Sequence, residues 1–255
     1  MGFLHDRRSF EFLEKLNPLL KKMEADWDKR ARQNAEYYIA TLHEEWSKEE
    51  FLQSGRVTVE QQILTDMTNI CQGKDPRRMK VLEIGCGIGR MTLALAEVFG
   101  EVYGVDVSGE MIRKAQALAE YAGIKNVHFY KNNGMDLRVL PRVKFDFAFS
   151  YIVFQHIPSK EIIVNYLREV HRRLAPGALF KFQVQGCQDV ESWPEDTWLG
   201  VPITEEEAVE MARSTGFDPR FRVGAGEQYF WLWFFKQPEQ GVFSKVLSRL
   251  VGQRG

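Results

Sequence analysis

Three glycines at alternate positions follow an acid in Glu83-Ile-Gly85-Cys86-Gly87-Ile-Gly89-Arg90. Glycine lets a backbone turn sharply and approach a ligand closely. Asp106 comes roughly 20 residues later, closing the apolar run Val102-Tyr-Gly-Val105. A carboxylate at the end of a strand, at that offset from a glycine loop, is placed to accept both ribose hydroxyls of an adenosine. The spacing separates ligand types. Dinucleotide folds use G-x-G-x-x-G to seat a pyrophosphate. Here the third glycine arrives one residue early, and Arg90 takes the place of the expected one. Glu83 precedes the first glycine by two. A carboxylate there repels a pyrophosphate and suits a cationic ligand such as a sulfonium amino acid. The plain alternative is a tight turn without a ligand. It is the order strand, loop, helix, strand, acid that sets this run apart.

That order requires particular elements. Val81-Leu-Glu-Ile84 reads as a strand, Met91 to Phe99 as a helix, and Val102 to Val105 as a second strand. Ser108 caps a helix through Tyr121. Val127 to Tyr130 and Phe145 to Phe149 are the third and fourth strands. Ser159 caps a helix through Leu174, and Ala175-Pro-Gly177 turns into a fifth strand, Leu179 to Val184. Such alternation implies right-handed βαβ units and a mainly parallel sheet, a doubly wound α/β fold. Thr204-Glu-Glu-Glu207 opens a further helix as a capping box. The runs Phe217 to Val223 and Gln228 to Phe235 then form a hairpin around a glycine-bearing turn, so the last strand is predicted to run antiparallel.

Residues 1–74 read as a charged helical extension or lid, with a capping box at Ser47-Lys-Glu-Glu50; Asp75-Pro-Arg-Arg78 breaks the pattern. The α/β domain spans 75–239. In 240–255, Val242, Phe243, Val246, Leu247, Leu250 and Val251 recur at helical spacing, an amphipathic tail.

The chain has 255 residues, 44% hydrophobic and 27% charged, with a net charge of -1. A packed core is expected, and no global electrostatic footprint for nucleic acid exists. Cys71, Cys86 and Cys187 give neither a disulfide framework nor a metal-ligand spacing, so we infer no metal and a reducing compartment. The start has no signal-peptide core. No apolar run approaches the ~20 residues of a spanning helix. The cytoplasm is the expected location.

On these residues the chain resembles the class I S-adenosylmethionine-dependent methyltransferases, within them the bacterial group of type 11 and type 12 domains. The carriers are Val81-Leu-Glu-Ile-Gly-Cys-Gly-Ile-Gly-Arg90, Val102-Tyr-Gly-Val-Asp-Val-Ser108, Phe145-Asp-Phe-Ala-Phe-Ser150, His156-Ile-Pro158 and Leu174-Ala-Pro-Gly177. The resemblance implies a seven-stranded sheet in order 3-2-1-4-5-7-6 with strand 7 antiparallel, and S-adenosylmethionine as cofactor. It also implies site residues. The methionine part would lie on Gly85, Cys86, Gly87 and Gly89, with Glu83 near its amino group. Asp106 would take the ribose, and Val107 and Met111 would pack on the adenine. In Lys131-Asn-Asn-Gly-Met-Asp136, Asn133 would reach the adenine amino group, with Gly134 and Met135 giving backbone contacts; Asp136 competes with Asn133. Ser150 ends the fourth strand beside this site.

Two residues beyond that strand are candidates for the reaction. His156 is either a general base on an acceptor hydroxyl or amine, or an architectural residue that relatives with many acceptors share. Tyr151 lines the methyl-transfer path or simply packs. Trp27, Arg30, Arg32, Tyr37 and Tyr38 lie in a lid-like segment, where they bind the cofactor carboxylate or the acceptor, or else form a solvated helix. Trp193-Pro194 and Trp198, within 185–202, either cover the acceptor or join the core. A small-molecule acceptor is expected. A protein or nucleic-acid substrate and a non-catalytic adenosyl-binding module are the rivals. Ser150-Tyr-Ile-Val153 lacks the Asn-Pro-Pro-Tyr form of base-flipping enzymes, which speaks against nucleic acid.

Overall fold

The structure, a computed structural model, describes residues 7–189 and 196–237, with side chains from Leu16 onward. In chain order the elements are α1 (Arg7–Ile39), α2 (Lys48–Gln62), α3 (Met67–Cys71), β1 (Lys80–Ile84), α4 (Arg90–Ala96), β2 (Glu101–Asp106) and α5 (Gly109–Ala122). Then follow β3 (Val127–Lys131), β4 (Phe145–Ser150), α6 (Lys160–Arg173), β5 (Leu174–Val184), α7 (Glu205–Ser214), β6 (Phe217–Val223) and β7 (Phe230–Lys236). The seven strands order as β3-β2-β1-β4-β5-β7-β6. β7 runs antiparallel to both its neighbours, and the other pairs are parallel. This is the expected sheet.

Helices cover both faces. Leu82 and Ile84 of β1 belong to the cluster formed with Ile163, Leu167 and Val170 of α6 and with Ala208 and Ala212 of α7. Val81 points the other way, with Val59 of α2 and Met91 and Leu95 of α4. Alternation along a strand sends Glu83 the same way as Val81, and the Thr92 hydroxyl of α4 meets it at 2.5 Å.

The caps act where the sequence places them. Ser47 and Thr204 form reciprocal capping boxes with Glu50 and Glu207. Ser108 accepts from the Met111 N–H, and Ser159 accepts from the Glu161 N–H. Some boundaries differ: the helix after the glycine loop ends at Ala96 rather than Phe99, and the last strand begins at Phe230 rather than Gln228. Leu174 already pairs with Phe145, so β5 begins before the Ala175-Pro-Gly177 turn and absorbs it as an irregularity. α1 is broken at Asn34, whose side chain accepts from the Tyr37 N–H and restarts the helix. Among the described residues no helix is long and apolar enough to cross a membrane. Trp193, Pro194 and the tail residues Val242 to Val251 lie outside the described residues.

Candidate active site

Strand order reverses between β1 and β4, and the crevice beyond the carboxyl ends at such a switch point is where open α/β sheets bind ligands. A cavity of about 900 Å³ occupies that place. Its floor is the glycine loop. Gly85 and Gly87 hold φ of 72° and 53°, conformations that favour glycine. A Cβ on Gly85 would strike the Val153 side chain at 2.3 Å, and one on Gly87 would strike Ile39 at 2.6 Å. The Gly87 N–H donates to one oxygen of Asp106 and the Ser108 N–H to the other, at 2.9 and 2.8 Å. Asp106 is thereby fixed as a bifurcated acceptor at the cavity wall, with lone pairs left for a diol.

The upper wall comes from α1. Met23, Trp27, Tyr38 and Ile39 line the cavity. α1 is tied down on both sides of it. Asp28 accepts from the Ser108 hydroxyl at 2.5 Å and from the Glu110 N–H at 3.2 Å, which fastens α1 to the start of α5. On the other side Asp26 accepts from the N–H and hydroxyl of Thr197. Arg30 forms an ion pair with Asp196, and its guanidinium lies 4.9, 5.4 and 6.0 Å from the rings of Trp27, Trp198 and Tyr38.

His156 is buried among these groups, 5.2 Å from Trp27 and 5.0 Å from Trp198, ring centre to ring centre. Its Nδ1 bonds the Trp198 carbonyl. A carbonyl only accepts, so Nδ1 carries the proton, and Nε2 faces the Gln155 amide nitrogen at 3.4 Å. Burial brings the imidazole down to about 4, helped by the Arg30 charge and opposed by the Trp198 carbonyl. The ring is neutral at pH 7. Burial also raises Glu83 to about 8, against the Thr92 hydroxyl and the Arg90 charge. Asp106 rises to about 6 by burial, against the N–H groups of Ser108 and Gly87.

The structure gathers Glu83, Gly85, Cys86, Gly87, Asp106, Val107, Met111, Tyr151 and His156 around the cavity. It does not bring the remaining expected residues to the wall. Gly89, with φ of 86°, starts α4 and faces the Phe129 ring. The Ser150 hydroxyl is committed to the Ile84 carbonyl at 2.8 Å. In the loop after β3, Asn132 rather than Asn133 lines the cavity. The Asn133 side chain accepts from the N–H groups of Met135 and Asp136 and donates to Asp136, so it serves the loop's own turn, which Gly134 and Met135 share. Asp136 is absent from the wall as well.

Sequence reasoning missed Arg90 and Asn132 as wall residues. Arg90 was visible as the residue that replaces a glycine; Asn132 differs from Asn133 only by strand phase. A second cavity of about 2330 Å³ adjoins the first and shares Tyr38, Ile39, Arg90, Tyr151, Ile152 and His156 with it; Gln155, Trp198 and Tyr229 line it further out. Ile152, at the junction, holds φ of 54°, and its N–H is held by the buried Gln183 side chain at 2.9 Å. A β-branched residue in the left-handed region stores strain, a feature that clusters at functional sites.

Comparison with known proteins agrees with this geometry. Residues 81–177 match the family model described as a methyltransferase domain. Demethylmenaquinone methyltransferase of Geobacillus stearothermophilus is 27% identical over 179 residues, which is 58% of this chain and 73% of that protein. A ubiquinone biosynthesis O-methyltransferase of Cereibacter sphaeroides is 27% identical over 161 residues, 57% of this chain and 63% of that protein. Among solved structures, a complex of DhpI with SAH matches with a TM-score of 0.59 at 19% identity, covering 87% of this chain and 98% of that one. Magnesium protoporphyrin IX methyltransferase of Synechocystis with bound SAH matches with a TM-score of 0.61 at 14% identity, covering 86% and 100%. These structural likenesses are likenesses of fold. Over residues 81–177 the chain carries the methyltransferase domain that this family model describes. Both of those solved structures hold SAH.

Proposed function

We propose that this enzyme methylates a small-molecule acceptor bound in the outer cavity. The carrying observation is that this cavity shares Arg90, Tyr151, Ile152 and His156 with the wall around the glycine loop. An acceptor there meets the methyl donor across that junction, under the cover of Trp27 and Tyr38. The quinone-pathway relatives support a small acceptor, as does the net charge of -1, which offers nothing to a polyanion. The free cysteines fit a reducing compartment, and we place the enzyme in the cytoplasm.

The residues present fit the cofactor. Asp106, held by Gly87 and Ser108, takes the ribose hydroxyls. Glu83 faces the ammonium group, and Val107 and Met111 pack on the adenine; Asn132 lines the same cavity with its side chain bonded to the Gly134 N–H and the Tyr166 hydroxyl. A bound sulfonium supplies a methyl group with its leaving group already in place. What the chain must add is alignment and exclusion of water, and such positioning is worth roughly 7 kcal/mol or more. Tyr151 and the strained turn at Ile152 shape the junction. His156, at about 4, is too weakly basic for efficient proton removal near neutral pH. It positions Trp198 and Gln155 instead.

Release of S-adenosylhomocysteine, measured over panels of phenols, amines and carboxylic acids alongside tRNA and unfolded protein, tests the reading. Turnover with a small molecule that Asp106→Ala abolishes is the expected result. The substitution removes two charge-assisted hydrogen bonds of roughly 1.5–3 kcal/mol each. Turnover confined to tRNA or protein would reject it.

A further inference from the structure

Four of the eight large apolar side chains that stand exposed among the described residues line the outer cavity. Leu42, in the loop after α1, is 80% exposed, Tyr121 of α5 54%, Tyr229 before β7 45%, and Val57 of α2 39%. Apolar residues scattered singly over a surface need no explanation, but a cluster around one hollow marks a place where something apolar binds. The inner end of the cavity has the opposite character. There Arg90, Tyr151 and His156 are shared with the cavity over the glycine loop. One stripe of α2 carries both characters: Ser54, Val57, Thr58 and Gln61, spaced as neighbours on a helix face, all line the wall. Arg90 is anchored on this stripe, its Nη1 donating to the Ser54 carbonyl at 3.0 Å and to the Thr58 hydroxyl at 2.9 Å. Val57, on the same stripe, is left to water.

The charges at the rim are spent within the protein. Glu49 accepts from the Tyr121 hydroxyl. Glu50 accepts from the Ser47 N–H and hydroxyl at 3.1 and 2.7 Å. Arg56 donates to Glu97 through Nε and Nη2 at 2.9 and 2.7 Å, and the Lys48 ammonium lies 4.3 Å from the centre of the Tyr121 ring. Lys48 and Arg56 stand against Glu49, Glu50 and Glu97, so the rim has no excess of positive charge to offer an anionic bilayer. The four apolar residues come from four separate elements around a hollow. A second copy would need a self-complementary surface of about 800 Å² on each partner. A hollow of mixed polarity suits a small ligand instead.

We propose that the acceptor is an amphiphile, with its polar, reacting end at the junction beside Tyr151 and His156 and a hydrocarbon chain running outward past Leu42, Val57, Tyr121 and Tyr229. The inference rests on the reading of the outer cavity as the acceptor site and names the substrate class for it. Leu42 and Val57 then recognise the chain, and they take no part in holding the methyl donor.

Calorimetry on the full chain, saturated with S-adenosylhomocysteine, tests this with 4-alkylphenols from methyl to octyl, each below its critical micelle concentration. A methylene wholly removed from water gains about fourfold in affinity. At a half-open rim about twofold per methylene is expected, so 4-octylphenol should bind roughly thirtyfold or more tighter than 4-methylphenol. In the double substitution Leu42→Lys and Val57→Lys that ratio should fall below about fivefold. Both side chains face water, so affinity for S-adenosylhomocysteine should hold within about threefold and report an intact fold. If the double variant loses that affinity, Leu42→Ser and Val57→Ser decide singly: each must lower the ratio, and an unchanged ratio in both overturns the proposal. A wild-type ratio near one overturns it, as does a steep ratio that the rim substitutions leave untouched. Self-association, or sedimentation with phosphatidylcholine vesicles, that the double substitution abolishes while the wild-type ratio is flat would give the rim to a second copy or to a bilayer, and overturn it too. A flat series beside turnover of a compact phenol sinks this inference alone. Turnover confined to tRNA or unfolded protein sinks the small-acceptor reading, and this inference with it.

Discussion

His156 shows how a residue type can mislead about chemistry. Histidine titrates near working pH when exposed, which makes it the default candidate for a base. Here its Nδ1 proton is spent on the Trp198 carbonyl, Nε2 faces Gln155, and two indole rings exclude water. Burial lowers its basicity against the opposing hydrogen bond to the Trp198 carbonyl, and the ring acts as a strut between the turn after β4 and the segment that carries Trp198. His156→Asn is therefore expected to cost about 1–3 kcal/mol of stability, through loss of a buried hydrogen bond and ring packing. The methyl-transfer rate per folded molecule should stay within a few-fold. Thermal melts and single-turnover rates on the purified variant check both. A fully stable variant slowed by roughly 10²–10⁴ would identify a base instead.

At the scale of elements, the sheet and its loops were legible because their signals are local. Alternating strand and helix patterns, serine and threonine caps, and the glycine run each lie within a few residues of what they determine. The docking of α1 is different. Arg30 meets residues 196 and 197, and Asp28 meets Ser108; these contacts span more than 80 positions or close to it and leave no periodic trace. The same holds for Arg90, whose anchor lies on α2, and for Asn132, chosen over Asn133 by the phase with which β3 ends. The ion pair joins buried Arg30 to an exposed Asp196, and the guanidinium also packs among three aromatic rings, a contact worth about 0.5–2 kcal/mol. Arg30→Met keeps much of the packing and loses the charge. It is expected to speed dissociation of S-adenosylhomocysteine by roughly tenfold in stopped-flow fluorescence, with cofactor affinity weakened to match and only a small fall in melting temperature. An unchanged dissociation rate would show that α1 does not gate the cavity.

For the molecule as a whole, three buried groups set the response to pH, and their signs differ. Glu83, raised to about 8 from 4.5, and Asp106, raised to about 6 from 3.8, bind protons more tightly in the folded state. Their contribution to stability is complete at low pH. It is lost as pH climbs through those windows. His156, lowered to about 4 from 6.5, acts oppositely and loses its contribution as pH falls from 6.5 towards 4. Between pH 6.5 and 8 Glu83 is the largest contributor of the three, since Asp106 and the unfolded-state imidazole of His156 complete their titration early in that range. The stability of the free protein should therefore decline across that window, by at most about 1.4 kcal/mol per pH unit. A ligand that places an ammonium beside Glu83 favours the carboxylate, so binding should expel close to one proton at pH 7. Affinity for S-adenosylhomocysteine should then rise with pH and level off above about 8. Calorimetry in buffers of different ionisation enthalpy reads the proton directly, and denaturant melts at pH 6.5 and 8 read the stability. Glu83→Gln should flatten both profiles, making the free protein more stable than wild type at pH 8 while binding S-adenosylhomocysteine more weakly there. Wild-type stability that is level from pH 6.5 to 8, with no proton released on binding, would mean that Glu83 is already ionised in the free enzyme and does not couple cofactor binding to pH.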